Sequence, residues 1–192
     1  MEEKVVRLTD NDIAFLQEKY PSLIYDVEKN IITGNLWFNV QYKDEEAIED
    51  NYLIEINLNK VILGVPAVRE IGGKILNIAI QKNKRPVDLH LISLAGDVCI
   101  IIPPEATEKY PNGFDLEILM HHLEEHFYWV SYVEKYNKEP WKGYGHGEKG
   151  YYELYLKDKS KYLNIFTNYF KCGNSRPERR RKEKELRKIY KI

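Results

Sequence analysis

Two segments of alternating apolar and polar residues constrain the fold of this chain most. Apolar side chains recur at every second position at Leu36, Phe38, Val40 and Tyr42, and again at Tyr52, Ile54, Ile56 and Leu58. A period of two places such side chains on one face of a β-strand. The acidic stretch 44–50 between the segments suits a loop and is too short for a crossover helix. The pair therefore predicts two neighbouring antiparallel strands.

Two weaker strands flank this pair and complete a predicted four-stranded meander. Residues 23–27 are strand-like and precede a turn signal at Thr33-Gly34, and residues 68–70 follow Pro66. All connections are short, which favours an antiparallel sheet over a parallel one with crossover helices.

Three further segments have helical patterns. Thr9 and Asp10 are candidate caps of a short helix that ends at Tyr20-Pro21. From Asn112, a candidate cap, to about residue 135, apolar residues recur every three or four positions. A final amphipathic helix is predicted over residues 152–170. The order of one helix, a four-stranded meander, an irregular segment and two helices predicts an α+β fold.

Composition limits the class of protein. Of 192 residues, 43% are hydrophobic and 31% charged, which provides enough apolar material for a core. Uncharged apolar runs such as residues 98–104 are far shorter than the ~20 residues that cross a bilayer. The first residues lack the apolar run of a secretory signal, and two cysteines cannot form a disulfide scaffold. We therefore expect a cytoplasmic protein without a membrane partner.

The charges are unevenly distributed along the chain. Residues 171–192 hold 10 Lys/Arg and 3 Asp/Glu, whereas the other 170 residues hold 19 and 27. We predict one domain over residues 1–170 and a basic C-terminal tail over residues 171–192. Such a tail can contact nucleic acid, anionic lipid or an acidic partner, but a solvated segment is the simpler interpretation. Nucleic acid is not expected as a partner, because the acidic remainder would repel phosphate.

Three motifs have a simpler interpretation than the sites they resemble. The glycines of residues 145–150 have the G-x-G-x-x-G spacing, but they follow a predicted helix and not the strand that a dinucleotide site requires. His122 and His126 share a helix face without an evident third ligand, which predicts a solvated helix surface and no zinc site. Cys172 lacks the partner cysteines of a zinc knuckle. We expect no metal and no cofactor.

Cys99 has a setting that favours a functional thiol, although a free cysteine is most often simply buried. Gly96-Asp97 makes a turn just before it, and Pro103-Pro104 fixes the chain just after it. His90, nine residues upstream, can return beside the cysteine across that turn.

These residues resemble the core of the ubiquitin-conjugating (E2) enzyme family, which has the UBC fold. That family has an N-terminal helix, a four-stranded meander, a His-Pro-Asn stretch and a Gly-x-Ile-Cys step before its next helices. Here Pro66 follows the third strand, His90 takes the His place, and Gly96-Asp-Val-Cys99 matches the cysteine step with Val for Ile. Tyr110-Pro111 takes the place of the family's Trp-x-Pro. The resemblance covers about residues 9–135 and implies a UBC-like α+β fold.

The glycine-rich loop resembles a bacterial branch of the same family. Its pattern runs from Trp141 through Gly145-His146-Gly147 and Gly150 to Glu153. Members of that branch are encoded beside a ubiquitin-like protein and an activating enzyme, several of them in antiphage defence systems. The resemblance implies that this loop packs beside the cysteine, which would place His146 near Cys99.

The resemblance implies an acyltransferase that carries a ubiquitin-like protein as a thioester on Cys99 and passes it to a lysine of a target protein. The implied partners are that ubiquitin-like protein, an E1-like activating enzyme and the target. His146 is the candidate base or oxyanion partner, and His90 has the more structural role. Leu91-Ile92 replace the family's Pro-Asn, whose Asn helps to stabilise the oxyanion, and the spacing from His90 to Cys99 is about one residue short.

Two other interpretations stay open. In the first, the chain is an inactive E2-like scaffold that binds a ubiquitin-like protein or another partner, with Cys99 buried under the glycine-rich loop. In the second, the basic tail binds nucleic acid, although no aromatic and basic stacking motif accompanies it. A reachable Cys99 thiol distinguishes an enzyme from a scaffold.

Overall fold

The computed structural model describes residues 3–143, 145–173 and 175–191. The chain forms two compact units, Met1–Trp141 and Lys142–Ile192. The division that we expected at residue 170 does not coincide with the boundary between these units.

The first unit contains the sheet and the longest helix. Its elements are α1 (Asp10–Lys19), β1 (Leu23–Asp26), β2 (Ile31–Val40), β3 (Ile48–Ile62), β4 (Val65–Glu70), α2 (Lys74–Gln81), a 3₁₀ turn (Pro86–Leu89), α3 (Pro103–Lys109) and α4 (Leu116–Tyr136). The second unit contains α5 (Glu148–Lys157), α6 (Leu163–Tyr169) and α7 (Arg176–Tyr190). The strands form one antiparallel sheet in the order β1-β2-β3-β4. The predicted α+β class and the meander are confirmed.

The alternation in β2 and β3 turns one face of the sheet toward the core. Leu36, Tyr52 and Ile54 are fully buried, whereas Trp37 points the other way and is 55% exposed. Leu36 and Tyr52 are paired across the two strands. The Tyr52 ring stacks on Phe127 of α4 with 4.4 Å between ring centroids. The core of the first unit thus lies between the sheet and α4.

Side-chain caps define the starts of α1 and α4. The Thr9 hydroxyl accepts from the Asp12 N–H at 3.2 Å, and the Asp12 carboxylate accepts from the Thr9 N–H at 2.8 Å. This capping box confirms the predicted first helix. The cap predicted for α4 is wrong: the Asp115 side chain, and not that of Asn112, accepts from the Ile118 N–H at 3.0 Å.

The turn predicted at Thr33-Gly34 is also wrong, because both residues lie inside β2. The chain turns before β2, where Asn30 has a left-handed φ of 57°. Gly34 is needed for close approach: its φ is 141°, and a Cβ there would lie 2.0 Å from the Ser22 carbonyl oxygen. The chain entering β1 therefore leaves no room for a side chain at this position.

Two helices, α2 and α3, occupy stretches for which the sequence predicted no helix. α2 buries Ile75, Ile78 and Ala79 on one side. α3 begins at Pro103-Pro104, since proline is well tolerated in the first turn of a helix, where no N–H partner is lost. The double proline starts a helix here and does not merely stiffen the chain.

The C-terminal part also differs from the prediction. The single helix predicted over residues 152–170 is divided into α5 and α6 at Asp158, whose carboxylate accepts from the Ser160 and Lys161 N–H groups at 3.0 Å. The predicted basic tail contains α7, which is capped by the Ser175 side chain. Within the described ranges, no helix combines the length and apolar character that crossing a membrane requires.

Replacing Gly34 with Ala should lower the free energy of unfolding by about 2 kcal/mol or more, since the new methyl group meets backbone atoms. Gly73→Ala is the matched control. Gly73 also has a left-handed φ, of 74°, but nothing lies within 4 Å of its Cβ position, so about 1 kcal/mol is expected. Urea unfolding of the two variants measures the difference, and equal losses would contradict the crowding of β2 against the start of β1.

Candidate active site around Cys99

Cys99 lies at the end of a short hairpin that follows the 3₁₀ turn. The Cys99 N–H donates to the His90 carbonyl at 2.8 Å, and the Ile92 N–H donates to the Asp97 carbonyl at 2.8 Å. His90 and Cys99 are thus neighbours across the turn, as the sequence predicted.

The hairpin is attached to β4 at the edge of the sheet. The Val98 N–H donates to the Val68 carbonyl at 3.1 Å, and the Glu70 N–H donates to the Gly96 carbonyl at 2.8 Å. A Cβ at Gly96 would lie 2.3 Å from the Glu70 carbonyl oxygen, and the residue has a left-handed φ of 97°. Glycine is therefore required where the hairpin meets the sheet.

The Cys99 thiol is partly buried and forms no disulfide. Its Sγ lies 3.8 Å from the Ile101 carbonyl oxygen, a weak contact. Burial raises the pKa of the Cys99 thiol above the ordinary value of 9.0. The group is therefore a neutral thiol at pH 7, and it reacts through a small thiolate fraction.

His90 holds Cys99 through its backbone, while its ring packs on α4. The ring meets Trp129 edge-on at 5.2 Å and His126 at 5.6 Å between centroids. His90 has a left-handed φ of 61°, which directs its carbonyl toward Cys99 after the 3₁₀ turn ends. These contacts fit the structural role expected of His90.

The segment after Cys99 is held by a buried histidine of α4. The His122 Nδ1 lies 3.0 Å from the Tyr110 hydroxyl, and the Ile100 backbone lies near enough to the ring to oppose part of the lowering of its pKa. Burial, followed by the nearby Lys109 ammonium, lowers the pKa of His122 to about 4. The neutral ring thus fixes the segment after Cys99 at pH 7.

The predicted solvated surface of α4 is wrong for two of its three histidines. His122 and His126 are 6% and 8% exposed, and only His121 faces solvent. Both buried histidines continue the apolar stripe, since they lie three and seven positions after Leu119. That spacing is the sequence signal that could have identified them.

His146 lies in the second unit, directly before α5. The buried Glu153 carboxylate accepts from the Gly145 N–H at 2.7 Å and pairs with the Lys142 ammonium at 3.3 Å. Glu153 therefore fixes the loop that carries His146, a role that sequence reasoning did not assign to it. The proximity of His146 to Cys99 stays a prediction.

The other motifs lie outside the cysteine hairpin. Among the described residues, no three His, Cys, Asp or Glu side chains are grouped closely enough to hold a metal ion. Cys172 lies after α6, where its N–H donates to the Thr167 carbonyl at 3.1 Å. The glycine-rich loop connects α4 to α5, so no strand precedes it as a dinucleotide site requires.

Comparison with known proteins gives no match. No protein-family model, no curated protein and no solved structure matches this chain.

Acidification tests the buried state of His122. Below its ordinary pKa of 6.5 the unfolded His122 binds a proton, whereas the folded one stays neutral until about pH 4. The free energy of unfolding should therefore fall by about 3 kcal/mol as the pH drops through this window. His122→Gln removes this contribution, so its stability, measured by urea unfolding, should depend less on pH.

His121→Gln is the control, since that side chain is 65% exposed. It should leave the pH dependence unchanged. Loss of the dependence in His121→Gln, and not in His122→Gln, would contradict the assignment.

Proposed function

We propose that this chain is an E2-like conjugating enzyme, which carries a ubiquitin-like protein as a thioester on Cys99 and transfers it to a target amine. The order of an N-terminal helix, an antiparallel four-stranded meander, a cysteine on an irregular segment and a long helix supports this proposal. The resemblance to the UBC fold over residues 9–135 implies such an order. α2 and the 3₁₀ turn are additions, because they separate β4 from the cysteine hairpin.

The observation that carries the proposal is the backbone pairing of Cys99 with His90. It fixes the cysteine backbone to the sheet through the hairpin and leaves the thiol only partly covered. A nucleophile on a fixed backbone reaches its attack geometry at a low entropic cost. A cysteine that serves only to pack in the core does not require a backbone fixed in this way.

In the first step the Cys99 thiolate attacks the carbonyl carbon of the thioester that joins the modifier to a cysteine of the activating enzyme. A bond forms between Cys99 Sγ and that carbon, and the bond to the activating enzyme's sulfur breaks. The departing thiolate takes up the proton that Cys99 released. One thioester replaces another, so the exchange needs no redox partner.

In the second step a target amine attacks the Cys99 thioester, and the site must stabilise the tetrahedral oxyanion. Leu91 is buried and Ile92 is 59% exposed, and neither side chain can donate a hydrogen bond as the family's Asn does. One such donor contributes about 2.7–4 kcal/mol to transition-state stability. The resemblance implies that His146 supplies this contribution, and we keep His90 as a positioning residue.

The proposed partners are those that the resemblance implies: a ubiquitin-like protein, an E1-like activating enzyme and a lysine of a target protein. The resemblance also implies that the first two are encoded beside this chain, in a bacterial antiphage defence operon. α1 is the element at which an E2-like protein meets its activating enzyme, and its first turn carries Asp10 and Asp12 while Lys19 lies in its last.

A thioester assay tests the proposal. The chain is incubated with ATP and with the ubiquitin-like protein and activating enzyme encoded beside its gene, then separated without reductant. Wild type should form an adduct that reductant removes, whereas Cys99→Ser should form a stable oxyester or no adduct. His146→Ala should load normally but release the modifier to lysine about 10²–10³-fold more slowly.

His121→Ala is the matched control and should load and discharge as wild type does. Absence of any adduct on wild type, while the activating enzyme carries its own thioester, would overturn the proposal. Equal discharge by wild type and His146→Ala would remove His146 from the second step.

A second candidate function is a catalytically inactive E2-like scaffold. The partial burial of Cys99 and the resulting rise in its pKa favour it, because a core thiol needs no activation. The absence of the family's Asn, at the position of Ile92, favours it too.

Alkylation distinguishes the enzyme from the scaffold. The test uses the Cys172→Ser variant, in which Cys99 is the remaining thiol. If the chain is an enzyme, iodoacetamide should alkylate Cys99 faster than the chain unfolds, and the alkylation rate should be proportional to the iodoacetamide concentration. Because burial raises the pKa of Cys99, that rate should keep rising with pH beyond the ordinary value of 9.0. Labelling at the unfolding rate, independent of reagent concentration, would support the scaffold instead. Cys99→Ser in the chain that keeps Cys172 measures the labelling of Cys172 by itself.

A further inference from the structure

The basic charge of this chain is concentrated in the second unit. Residues 142–192 hold 15 Lys/Arg and 6 Asp/Glu, whereas residues 1–141 hold 14 and 24. Most of the basic residues of the second unit lie on α7, a helix within the basic tail that the sequence predicted. Their arrangement on that helix determines what they can bind.

One face of α7 is occupied by contacts within the second unit. Leu186 is 1% exposed. The Tyr155 hydroxyl donates to the Glu183 carboxylate at 2.8 Å, and the Tyr190 hydroxyl donates to the Glu148 carboxylate at 3.0 Å. These contacts fix the rotation of α7 about its axis.

The opposite face is uniformly basic and exposed. At ~100° per residue, five cations point away from Leu186, and all of them are exposed: Arg180, Arg181, Lys184, Arg187 and Lys188. None of the five forms an ion pair with any residue that the structure describes. Two of the three acidic residues of the helix pair with other cations: Glu183 with Lys159 at 2.5 Å and Glu185 with Lys182 at 2.9 Å. Arg181 and Arg187 lie near enough to Glu178 and Glu183 to help lower the pKa of those carboxyls.

We propose that these five cations, the basic face of α7, bind the phosphate backbone of double-stranded nucleic acid without regard to base sequence. A row of fixed cations releases the counterions condensed on a duplex, which is the main source of such binding. Three of the five are Arg, whose planar fork suits phosphate oxygens. This inference revises the expectation that nucleic acid is not a partner, because the excess of acidic residues lies in residues 1–141 and not in the second unit. It is independent of the proposed function of Cys99.

Nucleic acid fits this face better than a membrane does. A helix that lies on a bilayer inserts an apolar face among the lipids. The apolar face of α7 is already packed, because Leu186 is buried and Tyr190 is bonded to Glu148. Ile189, which is 57% exposed, is a single apolar side chain beside the basic face. The exposed surface of α7 is thus basic and lacks an apolar face that could insert into a membrane.

Fluorescence anisotropy of the full chain with a labelled mixed-sequence DNA duplex of about 20 base pairs, at ~50 to ~200 mM KCl, tests the proposal. Wild type should bind with an affinity that falls steeply and linearly on logarithmic axes. The triple variant Arg180→Gln, Lys184→Gln, Arg187→Gln should bind at least tenfold more weakly, with a salt slope smaller by about 3. Glutamine is a good helix former, and circular dichroism checks that α7 persists.

A matched triple variant removes the same charge elsewhere, through Lys4→Gln, Lys60→Gln and Lys149→Gln, all at exposed positions. It should bind nearly as wild type does. The double variant Arg181→Gln, Lys188→Gln should weaken binding in the same direction as the first triple, which guards against a folding defect particular to that triple.

Three results would overturn the proposal. The first is no binding of the duplex at the lowest salt concentration. The second is an equal effect of the two triple variants. The third is a preference for another polyanion, in which polyglutamate or vesicles of phosphatidylglycerol and phosphatidylcholine displace the protein from DNA at equal charge concentration. That last result would assign the face to an acidic protein or to an anionic membrane.

Discussion

The hydrogen bond from the Cys99 N–H to the His90 carbonyl is the contact on which the candidate site depends. It closes a hairpin that would be marginal in water on its own. The hairpin persists because Glu70 and Val98 join it to β4, and a glycine at position 96 lets the two backbones meet. The cysteine backbone thereby gains the rigidity of the sheet, and the sheet gains its own from the buried alternation of β2 and β3.

α4 supports the same segment from the core side. Trp129 packs against the His90 ring, and His122 lies beside the Ile100 backbone and binds the Tyr110 hydroxyl, so segments before and after the cysteine contact one helix. The burial that this support requires also raises the pKa of the Cys99 thiol. A raised pKa lowers the thiolate fraction at pH 7 by more than it raises the nucleophilicity of the thiolate, so Cys99 should exchange thioesters more slowly than a thiol with an ordinary pKa. The packing on α4 therefore both fixes the position of Cys99 and slows the reaction of its thiol with unrelated electrophiles.

The features predictable from the sequence are those with a local cause. The period-two alternation and the capping box at Thr9 act over a few residues, and both appear in the structure as predicted. Gly34 could not be understood locally, since the backbone that excludes a side chain there belongs to Ser22. The burial of His122 depends on how the sheet, α3 and the cysteine segment surround α4. The periodicity of the sequence alone does not predict that arrangement. Pro103 illustrates a third case, because the same residue can end a segment or start a helix.

The central claim is that Cys99 is held as firmly as the sheet, although it lies on an irregular segment. Amide hydrogen exchange of the full chain, resolved by residue with nuclear magnetic resonance, measures this directly. The Cys99 N–H should exchange as slowly as the N–H of Val98 or Glu70. All three groups donate to backbone carbonyls, either within the cysteine hairpin or between the hairpin and β4. Exchange of the Cys99 amide at the rate of an open loop, with Glu70 still protected, would contradict it.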